Sequence, residues 1–397
     1  MKQISMNQSR IGNIKAVFTH KYWVAFTLAG AFFCFFALSR GGVNVFIEIT
    51  FYFLVLNVLT GRYQLKTIPA AYWVVGSISA YLVVVSILFA PHASHYSWMK
   101  NIPRFLVIVI GIHYLYQKKI DKWVILFFGI TLSASILWQF VMFHFFDMPA
   151  GTFFNIHVLA GFSAMALPVL FYLFWVTTDW NRYLFLIIGG LAGYLLLKIG
   201  SRPAFIGLLF GLIFVVIFLV KGRYKWIGVS FILLSLAVLF MTDYNSLASR
   251  IKELIAFLPK EERVPAWSIA WNKILENSVL DWIFGHGIGY FKATYSSNPA
   301  INAHWVSPHN IVLDLIYCSG ISGFILVSVG VAILVGLVMR ASIRNQNKKV
   351  RVFSGCLIAV FITWSFICGL NFALYSKYTM YPLAFILGPM LAVIQTK

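Results

Sequence analysis

Acidic residues are scarce in this chain: 11 Asp and Glu stand against 31 Lys and Arg, and charged residues of both signs fill only 11% of its 397 positions. So thin a polar complement cannot clothe a water-soluble body when 61% of the chain is hydrophobic and mean hydropathy is +0.86. Cysteine is equally sparse, and the four residues Cys34, Cys318, Cys356 and Cys368 all fall inside apolar runs. There a thiol behaves as a small hydrophobe, which excludes a disulfide framework and a cysteine metal site. No Asp-x-Asp pair occurs, and His304 and His309 lack the paired carboxylates of a divalent site. We expect no metal and no cofactor.

What the chain does have is long apolar runs. A run of about 20 such residues spans a hydrocarbon core of about 30 Å, and these runs are continuous rather than alternating, which specifies helices over a barrel. Reading them at roughly 22–39, 43–60, 67–90, 102–117, 123–143, 158–178, 183–199, 204–220, 226–241, 311–339, 352–370 and 381–395 predicts about twelve transmembrane helices. The fold class expected is an all-α polytopic membrane protein in three parts: helices over 1–241, a loop over 242–310, and helices over 311–397. No internal repeat of the transporter kind is visible.

The formal charge of +20 raises nucleic acid as a partner, but the cations sit in short loops between spans, so none is expected. Placing the N-terminus in the cytoplasm puts most Lys and Arg on the cytoplasmic side, including Lys118, Lys119, Lys122, Arg340, Arg344, Lys348, Lys349 and Arg351. Both termini are then cytoplasmic and the long loop faces outward. In that loop six basic residues are balanced by six acidic ones, so it is not a polybasic tail. Apolar residues recur at helical spacing at Leu247, Ile251, Leu254, Ile255 and Leu258, and again at Trp267, Trp271, Ile274 and Leu275. Two amphipathic helices on the outer membrane surface or over a cavity follow.

The cations left on the outer side need a reason. Lys198 and Arg202 flank a tight hairpin, and such a pair suits a diphosphate, which a guanidinium grips in bidentate fashion; lipid headgroups are the plainer ligand. Arg104, at the outer start of the fourth span, either snorkels to lipid phosphate or holds a ligand phosphate. Arg263 belongs either to a solvated turn or to a second phosphate contact. Glu48 reads as a residue near a helix end or bonded to a neighbour. The segment Phe284 to Phe291 sets three glycines around His286; a turn of this kind can wrap an anion, but it lacks the strand and helix of a dinucleotide fingerprint, and His286 reads as structural.

The sharpest feature is the stretch from Ser307 to Gly323, where polar sequence gives way to an apolar helix. His309 and Asn310 stand at that boundary, and Gly320 and Gly323 follow inside the helix. An ionisable residue at the mouth of a membrane helix marks a functional site. Here His309-Asn310, nine residues, then Gly320-Ile321-Ser322-Gly323 resemble the H-[NSQ]-x9-G-x-x-[GTY] pattern of the O-antigen ligase family, which shares a domain with O-antigen polymerases and O-oligosaccharyltransferases. The glycine-rich element 285–291 is also typical of the wider family. Arg202 departs from the family's R-x3-L context, since Ile206 stands where leucine is usual, and no role is carried onto Asn371, where some members have an acid.

The resemblance implies a GT-C-like architecture with a large periplasmic loop in the bacterial inner membrane. It implies a metal-independent inverting transfer of O-antigen polysaccharide from undecaprenyl diphosphate onto lipid A–core oligosaccharide in lipopolysaccharide biosynthesis. The partners implied are that lipid-linked donor, the lipid A–core acceptor and membrane lipids. Its chemistry assigns proton removal to His309, whose unperturbed pKa of about 6.5 suits a base near neutrality. Charge on the departing diphosphate falls to Arg202, Arg263, Arg104 and Lys198, with Asn310 or Asp314 orienting the imidazole. An O-antigen polymerase is the alternative reading, and a lipid-sugar flippase is disfavoured because the spans carry almost no charge.

Overall fold

Apolar runs of this length must close their backbone hydrogen bonds internally, and in the computed structural model they do so as helices. Residues 20–38, 40–61, 63, 69–89, 99–117, 122–148, 156–219, 222, 225–226, 229–230, 233, 263–288, 290–291, 308–371 and 377–394 are described. The helices are α1 (His20–Phe33), α2 (Arg40–Leu59), α3 (Ala70–Phe89), α4 (Asn101–Gln117), α5 (Lys122–Phe145), α6 (Ile156–Val176), α7 (Asn181–Ile199), α8 (Arg202–Leu219), α9 (Arg263–Leu275), α10 (Val279–Phe284), α11 (Ile311–Arg344), α12 (Lys348–Asn371) and α13 (Lys377–Val393). No strand occurs among the described residues. Among the described residues seven helices are long and apolar enough to cross a membrane, and four more apolar stretches, Tyr22–Phe36, Asn101–Leu115, Pro203–Ile217 and Thr379–Val393, are shorter. The chain is therefore a polytopic helical membrane protein. The span expected at 226–241 and the first amphipathic helix expected at 247–258 lie largely or wholly outside the described residues.

Two helices run through the middle. In α12 and α6, 67% and 61% of the span is buried, against 22–33% for the other five candidate spans, which keep a face for lipid. The closest pairing is α8 on α12, and small residues make it. A methyl on Gly207 would stand 2.9 Å from the Thr363 carbonyl oxygen, and one on Gly211 would stand 2.7 Å from that of Ala359. This is a Gly-x-x-x-Gly contact, the means by which membrane helices approach without a hydrophobic drive between them. Because 207 to 211 pairs with 363 to 359, the two helices run antiparallel.

At its end α1 widens into a π-helical turn, Cys34–Leu38. The Gln139 side-chain amide of α5 donates to the Phe36 carbonyl there, satisfying a group that the altered ladder would otherwise leave bare.

The helix α9 forms where expected, with Pro265 in its first turn. Of the face read from the sequence, Ile274 is buried as expected, but it is joined by Ala266 and Ala270, whereas Trp271 and Leu275 are 47% and 57% exposed. Small side chains such as these alanines let neighbouring helices approach closely.

Candidate functional site

The site begins at the N-terminus of α11. Asn310 is its N-cap, and the side-chain oxygen accepts from the backbone N–H groups of Val312 and Leu313 at 3.0 and 3.2 Å, two of the four donors a helix start leaves unpaired. The residue before it, His309, has φ +53° and Asp147 φ +51°, the two non-glycine residues in the left-handed region among those described. A backbone of this kind costs about 1–2 kcal/mol and gathers at functional sites. His309 is half-buried, and Pro308 before it is buried. One turn along, Asp314 is buried at 2% exposure, with the Cys318 thiol donating to its Oδ1 at 3.6 Å. A carboxyl in the first turn is favoured by the helix dipole. Asn310 thus acts on the helix that carries the site, and Asp314 sits on the buried face of the same turn.

Two turns further, α11 breaks. Gly320 has φ +65° and ψ −175°, a conformation essentially confined to glycine. Three carbonyls beside the break accept donors from outside the helix. His286 N–H reaches the Tyr317 oxygen at 3.0 Å, Gly287 N–H reaches that of Cys318 at 2.8 Å, and the Tyr81 hydroxyl of α3 donates to that of Ser319 at 3.1 Å. Tyr81 also meets the Ser322 hydroxyl at 2.5 Å, and Ser322 donates to the Ile283 carbonyl at 2.5 Å. The glycine-rich segment after α10 is therefore laced into the break rather than free to wrap an anion. Ser86 of α3 accepts from the Ile288 N–H at 3.1 Å and holds its far end. Gly323 is helical, packed against the Ser319 side chain.

His286 is part of this lacing. Its Nε2 lies 2.9 Å from Asn277 Oδ1, its Nδ1 lies 3.8 Å from Asp281 Oδ1, and its ring stacks on Tyr290 at 4.9 Å and 15°. Burial pushes its pKa below the ordinary imidazole value, with Asp281 pulling it up and Lys273 pushing it further down. The reading of His286 as structural fits these contacts. Tyr81 and Ser86 were missed, and the signal that marked them is a handful of hydroxyls in an otherwise apolar span.

From the same mouth an apolar groove of about 290 Å³ runs between α3, α11, α12 and α13. Phe105, Ile311, Val312 and Met380 line one part of it, and Leu334, Leu337 and Leu387 another. Its wall begins two residues after His309.

Of the cations, Arg104 pairs with Glu48 of α2 at 3.5 Å and also reaches the Tyr381 hydroxyl of α13; its neighbour Phe105 lines the groove. Arg202 opens α8. The antiparallel register with α12 carries its backbone to the level of Cys368, next to Gly369, where an added methyl would stand 4.0 Å from the Ile311 side chain. The start of α8 and the start of α11 therefore share one end of the bundle. Lys198 is exposed in the last turn of α7, which Gly200 terminates at φ +64°. Arg263 opens α9, which packs on α11. The side chains of Arg202 and Arg263 lie outside the described residues. Among the described residues no three His, Cys, Asp or Glu side chains cluster.

An imidazole at the mouth of a membrane groove, with guanidinium-bearing helix starts at the same end, suits a ligand with an anionic head and an apolar tail. Residues 184–328, from within α7 to within α11, match a family described as O-antigen ligase. No curated protein matches the chain.

Proposed function

We propose, since the chain belongs to the O-antigen ligase family through residues 184–328, that it moves a glycan from undecaprenyl diphosphate onto a sugar hydroxyl of lipid A–core oligosaccharide. The reaction lies at the outer face of the bacterial inner membrane, with both termini cytoplasmic. The observation that carries this reading is the placement of His309, held in a left-handed backbone immediately before a capped and broken helix whose next residues line a membrane groove. The groove takes the first part of the polyprenyl chain, and the diphosphate then sits at its mouth.

The chemistry follows from the donor. The bond between the sugar's anomeric carbon and the diphosphate oxygen breaks as the acceptor hydroxyl attacks from the opposite side, inverting the centre. The imidazole of His309 takes the hydroxyl proton, a step worth about 10²–10⁴-fold. Arg202 and Arg263, with Lys198 nearby, receive the charge that builds on the leaving diphosphate, each well-placed donor contributing about 10²–10³-fold. Arg104 is shared with Glu48 and lends a weaker field. Asp314 stands on the buried side of the His309 turn and positions it.

Deletion of the protein from its producing cell tests the assignment. We expect long polymer to remain on undecaprenyl diphosphate while lipid A–core stays uncapped. Core capped with single repeats would assign the chain to polymerisation, and donor trapped on the cytoplasmic face would assign it to transport.

A further inference from the structure

We propose that a second cavity, at the end of the bundle away from His309, is a binding site for an anionic phospholipid, with an acyl chain inside and the phosphate on Lys349. The two ends are far apart because the part of α11 beyond its break at Gly320 runs on to Arg344, about 36 Å at 1.5 Å per residue, and Lys349 lies in the first turn of the next helix.

The cavity measures about 350 Å³ and is walled by α1 with its π-turn, α4, α5, α6, α12 and α13, with Phe128, Leu132, Val169, Leu173, Phe353 and Phe385 among its lining residues. Such walls exclude water and polar metabolites and accept a hydrocarbon chain. Lys349 is the one charged residue among those lining it, and it is exposed, so the ammonium stands where the apolar space meets the surface. The lysine is not alone. Arg340, Arg344, Lys348, Lys349 and Arg351 crowd twelve residues that contain no acid, and Lys348 is drawn aside over the Trp175 ring at 5.4 Å.

A basic rim above an apolar slot between membrane helices is the combination that recognises an anionic headgroup and its chain together. Charge complementarity therefore selects a lipid such as phosphatidylglycerol over a zwitterionic one. A second protein is a poor occupant, because a slot of about 350 Å³ between helices takes a chain rather than a folded surface. The lipid-diphosphate donor is served by the separate groove that starts beside His309. A chain seated here ties α6, α12 and α13 together, making the lipid a structural partner of the two most buried helices, whatever reaction the other end performs.

The test uses the full chain, purified in detergent and stripped of lipid, with native mass spectrometry and thermal unfolding as readouts. Dioleoyl phosphatidylglycerol should add at one equivalent, raise the melting temperature and bind at least tenfold more tightly than dioleoyl phosphatidylcholine; glycerol 3-phosphate should do neither. Lys349→Glu should erase the preference for phosphatidylglycerol. Val169→Trp should fill the cavity and abolish binding of both lipids. Equal binding of the two lipids by the unaltered protein, or unchanged phosphatidylglycerol binding in Lys349→Glu, overturns the proposal. Lys349 is exposed, so its variant decides the matter even where Val169→Trp fails to fold.

Discussion

Gly285 and Gly320 cross so closely that a methyl on Gly285 would stand 2.5 Å from the Gly320 backbone nitrogen, and both have positive φ. The turn after α10 and the break in α11 are therefore one joint, in which backbone meets backbone. His309 begins the same half-helix that this joint terminates, so the geometry of the mouth depends on a contact more than two turns away from it.

Gly320→Ala and Gly285→Ala should each cost about 1–3 kcal/mol from backbone conformation alone, with the collision added, and both should lose transfer. Gly323→Ala should be milder only by the backbone-conformation cost of about 1–3 kcal/mol, because Gly323 is helical, while its methyl would still meet the Ser319 Cβ, which no rotamer moves. Thermal unfolding and glycan transfer by the purified variants check this; equal tolerance at all three positions would remove the joint from the argument.

His309→Gly separates base from backbone. Glycine adopts φ +53° without strain, and its larger unfolded-state entropy offsets that gain, so stability should stay within about 1 kcal/mol of the parent. Transfer should nevertheless fall about 10²–10⁴-fold. Normal core capping by this variant would show that the residue is there for its backbone.

Arg202→Lys should lower transfer about 10²-fold or more, because a point charge does not reproduce a planar fork on a diphosphate. Arg104→Lys should do less, since Glu48 already engages that guanidinium. Glu48→Gln, at an exposed pair, should alter stability by less than about 1 kcal/mol. Initial rates at saturating donor rank the two arginine variants and thermal unfolding reads Glu48→Gln; a larger loss of rate at Arg104 than at Arg202 would reverse the assignment.

The pKa of His286 lies below the ordinary 6.5 in the folded protein because burial disfavours its charged form. Unfolding thus takes up a proton, so the stability this neutral ring contributes is fully present above about pH 6.5 and is lost as pH falls through the lower folded value. The melting temperature of the parent should drop over that acid window more than that of His286→Gln. Parallel pH profiles would show that the ring titrates as it does in water.

The sequence by itself determined that the chain lives in a membrane, where most helices begin and end, and that His309 and Asn310 stand at a helix mouth. Each of these rests on local physics: backbone groups in lipid must pair within their own helix, and a side chain such as that of Asn310 caps the residues that directly follow it. The sequence also marked Gly320 as unusual. What only the tertiary structure decided is why. Tyr81 meets Ser319 across 238 residues, and Ser86 meets Ile288 across 202; no spacing rule predicts which of several hydroxyls in an apolar span finds a broken helix. The face α9 buries was likewise open, because a stripe of alanines and a stripe of tryptophans follow the same helical period, and only the neighbouring helices settle which one turns inward. Arg104 shows the same division. Its charge and its place at a helix start were legible, but its partner Glu48 lies on another helix, and packing alone brought the two together.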